Sequence, residues 1–219
     1  IQNDMIPICV CAQDRNDLRL SIMADNWNLI GHEWAVDMLQ QQVARGEVRH
    51  AYLFCGPPGL GRRTLALRLA QALNCTMPIA AGIPCGTCRD CKQIEAMQHP
   101  DMNVIQALDG DNLPKEGGTL KVDQIREVQR SLSLKPYQAK YRVALFLRFQ
   151  EANDNAANAL LKTLEEAPAH AILLLTADTP EQLLPTIVSR CEILRMRPLP
   201  VKAIESYLLD QGVDEERAR

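Results

Sequence analysis

The 219-residue chain is short of several things, and each shortage excludes a class of protein. It has no run of 18 apolar residues, so nothing in it reads as a membrane-spanning helix. Its first 22 residues lack the charged-then-apolar layout of a secretion signal, with Asp4, Asp14 and Asp17 scattered among apolar residues. Aromatic residues are only 4% of the chain, too few for a base-stacking surface as its main device. There is no excess of positive charge: 24 Lys and Arg against 27 Asp and Glu leave a formal charge of −3. A bulk basic field for gripping DNA is therefore absent, and any nucleic-acid role must be local or shared with partners. No internal repeat or low-complexity tract is evident.

What is present suits an ordinary globular protein. Apolar residues make up 47% and charged residues 23%. Periodicity predicts helices over 32–44, 62–73, 122–134, 154–166 and 201–209. In the helix at 32–44, Trp34, Val36, Leu39 and Val43 give a mixed apolar face. Short apolar runs predict strands over 51–55, 101–108, 141–149, 171–176 and 192–196, with loops over 75–91 and 109–118. Strands alternating with helices imply an α/β fold: a parallel sheet with helices on both faces and ligands bound beyond the carboxyl ends of the strands. Residues 1–22 read as a disordered extension or a misplaced start, 23–198 as the main domain, and 199–219 as the opening of a second helical domain cut short, with Pro198 and Pro200 as the linker.

Gly56-Pro57-Pro58-Gly59-Leu60-Gly61 lies between a strand and a helix, the context of a phosphate-binding loop. The full pattern continues with Lys and then Ser or Thr, but Arg62 and Arg63 stand there. Arg62 still offers positive charge, through a bulkier planar fork. Arg63 cannot ligate magnesium, and Thr64 lies about 100° further round the helix, poorly placed to substitute. Gly56, Gly59, Gly61, Arg62, Arg63 and Thr64 thus form a degenerate phosphate loop, where ATP binds weakly or not at all. The bland alternative is a tight turn.

The second cluster is Cys75-x9-Cys85-x2-Cys88-x2-Cys91. Lacking an export signal, the chain is expected in a reducing cytoplasmic setting, where metal chemistry outranks disulfides. Four thiolates suit a closed tetrahedral structural zinc site; an iron–sulfur cluster is the rival. Of the remaining cysteines, Cys55 and Cys191 are expected in the core, and Cys9 and Cys11 carry no special role. The four histidines are dispersed and carry no ligand assignment.

Further motifs complete a pattern: His99-Pro100-Asp101, Val122-Asp123-Gln124-Ile125-Arg126, the run from Ala156 through Leu160-Leu161-Lys162-Thr163-Leu164-Glu165-Glu166 to Pro168, and Ser189-Arg190-Cys191. Together with the Gly-rich turn and cysteine insert, and in this order, they resemble the bacterial DNA polymerase III clamp-loader ATPase family over residues 25–210. The resemblance implies an AAA+ module followed by a helical lid and a collar domain. It implies partnership with other clamp-loader subunits (gamma/tau, delta) and, through the complex, with the sliding clamp and primed DNA. It places the family's acidic magnesium-and-water pair at Leu147 and Arg148, with Glu151 beyond it, and a γ-phosphate sensor at Ala177. None of Leu147, Arg148 and Ala177 can do that work. The resemblance therefore implies the non-hydrolysing stator kind of subunit, delta prime. Such a subunit belongs to the polymerase holoenzyme without polymerase or ATPase activity of its own. It also implies that Arg190 is presented in trans to ATP held by a neighbouring subunit. Two readings compete: an ATP-hydrolysing gamma/tau motor, and a separate zinc-dependent nucleic-acid binder.

Overall fold

The computed structural model describes residues 27–108 and 117–210. The expectations for residues 1–22, for Cys9 and Cys11, and for most of the 109–118 loop lie outside the described residues.

Ala51–Cys55 (β1) and Ala171–Ala177 (β4) are buried at every position. Strands with no polar face must be covered on both sides, which is the condition of a parallel sheet. The sheet has five strands, adding Met102–Ile105 (β2), Arg142–Phe146 (β3) and Glu192–Arg195 (β5), in the order β2-β3-β4-β1-β5. Every pair is parallel. Alternate residues feed different cores. Ala51, Leu53 and Cys55 point to one face, where Val122–Ser133 (α4), Asp154–Glu165 (α5) and the single turn Pro185–Val188 (α6) pack. Tyr52 and Phe54 point to the other, against Glu33–Arg45 (α1), Arg62–Asn74 (α2) and Arg89–Glu95 (α3).

The α/β class and strand order of elements match the sequence expectation, with local differences. Trp34 is 50% exposed, because residues 34 and 36 lie about 200° apart on a helix and Val36 holds the inward position. β2 stops at Ile105; Leu108 makes an isolated antiparallel bridge to Thr119. β3 stops at Phe146, because Arg148 turns left-handed at φ 51° and Phe149–Glu151 forms one 3-10 turn. The cysteine segment is not wholly loop: α3 begins within it at Arg89. Val201–Asp210 (α7) follows the prolines.

The chain leaves β1 toward the α2 face and leaves β4 toward the α6 face. These strands are neighbours, so their carboxyl ends form the topological switch point at which α/β sheets bind ligands.

Candidate functional site

The Gly-rich turn lies at that switch point. Gly61 precedes α2 at φ 82° and no side chain caps the helix. Gly56 is required by close approach: a Cβ there would stand 2.8 Å from the Met196 carbonyl oxygen. The Gly56 N–H donates to the carbonyls of Ala177 (3.3 Å) and Asp178 (3.0 Å), tying the turn to the end of β4. Arg62 is 9% exposed, and its Nη1 donates to Asp178 Oδ1 at 2.6 Å. The positive charge offered by the turn is thus already matched by a carboxylate of the same chain. Arg63 points to solvent and Thr64 is half-buried.

At the end of β3, Leu147 packs against the α1–α2 core. The Arg148 N–H donates to Thr176 Oγ1 at 2.9 Å, and its Nε lies 3.0 Å from Glu151 Oε1. The same Glu151 oxygen accepts from the Gly117 N–H at 2.9 Å. Glu151 therefore braces its own loop. Ala177 is fully buried.

The Ser-Arg-Cys turn lies at the other end of the sheet. Glu192, the first residue of β5, pairs with Tyr52 near the start of β1, and Arg190 precedes it by two residues in the turn that leads into the strand. Gly56 follows the last residue of β1, four residues and about 13 Å beyond Tyr52 at the rise of a β-strand. Arg190 Nη2 pairs with Glu165 Oε1 at 2.7 Å and Nη1 donates to the Thr186 carbonyl at 2.9 Å. Its side chain keeps 35% of its exposure. Cys191 anchors the turn; burial pushes its thiol up to about 12, and the neighbouring Cys55 adds to the shift. Cys55 is buried and Cys191 half-buried, both packed into the core as expected.

Cys75, Cys85, Cys88 and Cys91 come together, their Sγ atoms all within 4.8 Å of one another. Cys75 Sγ lies 3.5 Å from Cys85 Sγ and 4.0 Å from Cys88 Sγ. One tetrahedral ion with metal–sulfur bonds of about 2.3 Å separates its ligands by about 3.8 Å. The cluster can hold a metal ion, and its dimensions are those of a single one. Backbone N–H groups point at the sulfurs: Cys85 to Cys75 (3.3 Å), Cys88 to Cys85 (3.2 Å) and Cys91 to Cys88 (3.4 Å). Burial raises the Cys85 thiol, but the N–H groups of Cys88 and Thr87 outweigh it and bring the thiol down to about 6. Cys88 is lowered by the same kind of balance, with burial opposed by the Cys91 N–H. Burial raises Cys75 and Cys91. The module is docked on α1 through Gly82, where a Cβ would come within 2.5 Å of the Gln40 carbonyl oxygen, and Trp27 Nε1 donates to the Gly82 carbonyl at 3.0 Å.

His99 and Asp101 join this module to the sheet. The Asp101 N–H donates to His99 Nδ1 at 3.1 Å, which leaves His99 Nε2 to face Asp90 Oδ1 of α3 at 3.3 Å. The carboxylate of Asp101, fully buried, accepts the N–H groups of Tyr137, Gln138 and Ala139 at 2.6, 2.8 and 2.9 Å and meets Arg142 Nη2 at 3.2 Å. Burial raises its carboxyl, but those three N–H groups and the Arg142 guanidinium hold it below the usual range. Sequence reasoning named His99 and Asp101 only as part of a motif, and missed Asp178, Asp90 and Gln138 altogether. Their partners are far away in sequence and leave no local pattern.

The sequence and the fold have relatives. A delta prime subunit of DNA polymerase III from Bacillus subtilis is 35% identical over 182 residues, covering 83% of this chain and 52% of that protein. Its counterpart from Pseudomonas aeruginosa is 37% identical over 188 residues, covering 85% and 55%. The tau subunit from Escherichia coli is 32% identical over 201 residues, covering 89% and 30%. The chain spans about half the length of the delta prime proteins it matches. Among solved structures, a gamma-subunit-related protein from Thermotoga maritima superposes with a TM-score of 0.55 at 22% identity, covering 84% of this chain and 55% of that one. A RuvB variant from the same organism gives 0.52 at 20% identity, covering 87% and 56%. These two support the AAA+ type of fold and nothing finer. Residues 31–200 match the family described as DNA polymerase III, delta subunit, and the chain belongs to that family.

Proposed function

We propose that this chain is the AAA+ portion of a clamp-loader subunit of the delta prime kind, a stator that does not hydrolyse ATP and presents Arg190 to ATP held by a neighbour. The observation that carries this reading is the carboxyl end of β3. Leu147 and Arg148 stand there, and Glu151 is engaged by Arg148 and the Gly117 N–H. Phosphoryl transfer depends on positioning and on metal charge, and no carboxylate at residues 147 or 148 is available to hold magnesium or polarise water. Arg63 in place of the usual hydroxyl supports the same conclusion. The placement of Arg190 supports the trans role. It lies at the opposite end of the sheet from its own phosphate loop, out of reach of a ligand there, and its side chain is partly exposed. Arginine suits the task because it stays charged and its fork matches phosphate oxygens.

On this proposal the cysteine cluster holds zinc as a structural ion, and the partners are the gamma/tau and delta subunits, with sliding clamp and primed DNA met through the assembly in the cytoplasm. α7 is the first helix of the lid; its Val201, Ile204 and Leu209 are exposed. Among the described residues no helix is long and apolar enough to cross a membrane. A separate zinc-dependent nucleic-acid binder is disfavoured, because the chain carries a net negative charge and no basic stripe to meet phosphates. The test is ATP turnover by the purified full-length protein and by the reconstituted loader carrying Arg190→Ala. The expected result is no turnover alone and a loss of DNA-stimulated ATPase in the assembly. Turnover alone that is abolished by Arg62→Ala favours the gamma/tau motor. An assembly with normal ATPase and clamp loading after Arg190→Ala refutes the trans role.

A further inference from the structure

Asp178 is the most unexpected group at the phosphate loop. It follows the last residue of β4, the strand next to β1, so the Gly-rich turn and Asp178 meet at the switch point. Its carboxylate reaches Arg62 at 2.6 Å, while its own carbonyl accepts the Gly56 N–H at 3.0 Å. The residue therefore grips both ends of the turn, the glycine that opens it and the arginine that closes it. The first turn of α2 contains no acidic residue and has no side-chain cap, so the helix start keeps its positive end. Arg62 keeps only 10% of its side-chain exposure, whereas Asp178 keeps 34%. The arginine is fixed and the carboxylate is the more open partner.

We infer that Asp178 is a built-in anion that occupies Arg62 in place of a phosphate, and that this carboxylate keeps the loop from taking a polyphosphate ligand. This rests on the proposed reading of the turn as a degenerate phosphate loop. The pair is intramolecular and charge-assisted, so a ligand must displace an anion that is always present. When a binding-competent state is only a small fraction of the population, apparent affinity falls by that fraction. With the closed pair favoured by about 10- to 100-fold, the apparent affinity for a phosphate ligand is lowered by the same factor. Asparagine at 178 keeps the backbone bond to Gly56 and a side-chain oxygen for Arg62, but removes the competing charge.

The experiment titrates magnesium-free tripolyphosphate into the purified full-length protein by calorimetry, and follows thermal stability in parallel. The native protein binds weakly. Asp178→Asn binds at least about tenfold more tightly, and the double variant Arg62→Gln/Asp178→Asn returns to the native level. If Asp178→Asn folds poorly, Asp178→Ser serves, and a larger rise in Tm with tripolyphosphate than the native protein shows reports the same gain. Equal affinity in native and variant proteins overturns the inference. So does micromolar binding by the native protein, or a gain that survives in the double variant. ATP turnover measured on the same samples keeps the two readings apart. Turnover by the native protein sinks the non-hydrolysing stator, whereas the tripolyphosphate series alone decides the role of Asp178.

Discussion

Replacing Asp101 by asparagine tests whether the His-Pro-Asp motif works as a structural joint. The carboxylate is fully buried and receives three backbone N–H groups and the Arg142 guanidinium. The amide has a single acceptor oxygen, and its NH2 group would be turned toward donors. At least one of the 137–139 N–H groups then loses its partner, at about 1–3 kcal/mol. Arg142, whose side chain is 11% exposed, loses its counter-charge. Breaking one side of such a buried pair costs about 3–5 kcal/mol, which sets the scale of the whole effect because the terms overlap. Urea unfolding of Asp101→Asn should show a loss of that order. The sign with pH follows from the lowered carboxyl: its contribution is present above the unfolded-state value near about 4 and is lost as pH falls through the lower folded value. The native and variant stabilities should therefore converge at strongly acid pH. A loss below about 1 kcal/mol at neutral pH, or a difference that does not shrink on acidification, refutes this account.

Three further outcomes are expected. Elemental analysis of protein purified without chelator should give one zinc per chain, and chelation should raise hydrogen exchange over residues 75–91 while the sheet stays protected; iron with sulfide, or no metal, refutes the zinc site. Arg190→Lys should restore little of the loader ATPase lost in Arg190→Ala, because the charge returns without the fork; full rescue would reduce the role to charge alone. Glu165→Gln removes an ion pair whose partners are part-exposed, 35% for Arg190 and 52% for Glu165, so stability should change by no more than about 1 kcal/mol; a larger loss would make that pair a structural clamp and weaken the reading of Arg190 as a group held ready for a neighbour.

The sheet and its helices were legible because their signals are local. β1 and β4 are runs of apolar residues, and α5 repeats its leucines at helical spacing. The four cysteines were legible for the same reason, since one segment of the chain carries all of them. What stayed hidden was bonding at long range. Arg62 and Asp178 are 116 residues apart, and the N–H donors to Asp101 lie 36 to 38 residues away. Neither carboxylate sits in a pattern that distinguishes it from a solvated acid. α3 was missed because seven residues, one of them a cysteine of the cluster, make too little periodicity to see.

The contrast between Arg62 and Arg190 shows why motif and role part company. Both stand at motif positions, and both end in an ion pair of nearly the same length, 2.6 Å and 2.7 Å. Arg62 is buried at the switch point, 10% exposed against 34% for its partner, and displacing that partner leaves a desolvated charge. Arg190 is at the far end of the sheet, paired with a glutamate that keeps 52% of its side-chain exposure. Water can take over either member of that pair at little cost, since exposed pairs contribute about 0–1 kcal/mol. An arginine that must leave its partner to meet a phosphate on another molecule needs that kind of pair. One that must be kept from a phosphate in its own loop needs the buried kind. On the proposed reading the same chemistry closes one site and keeps the other available, and burial decides between them.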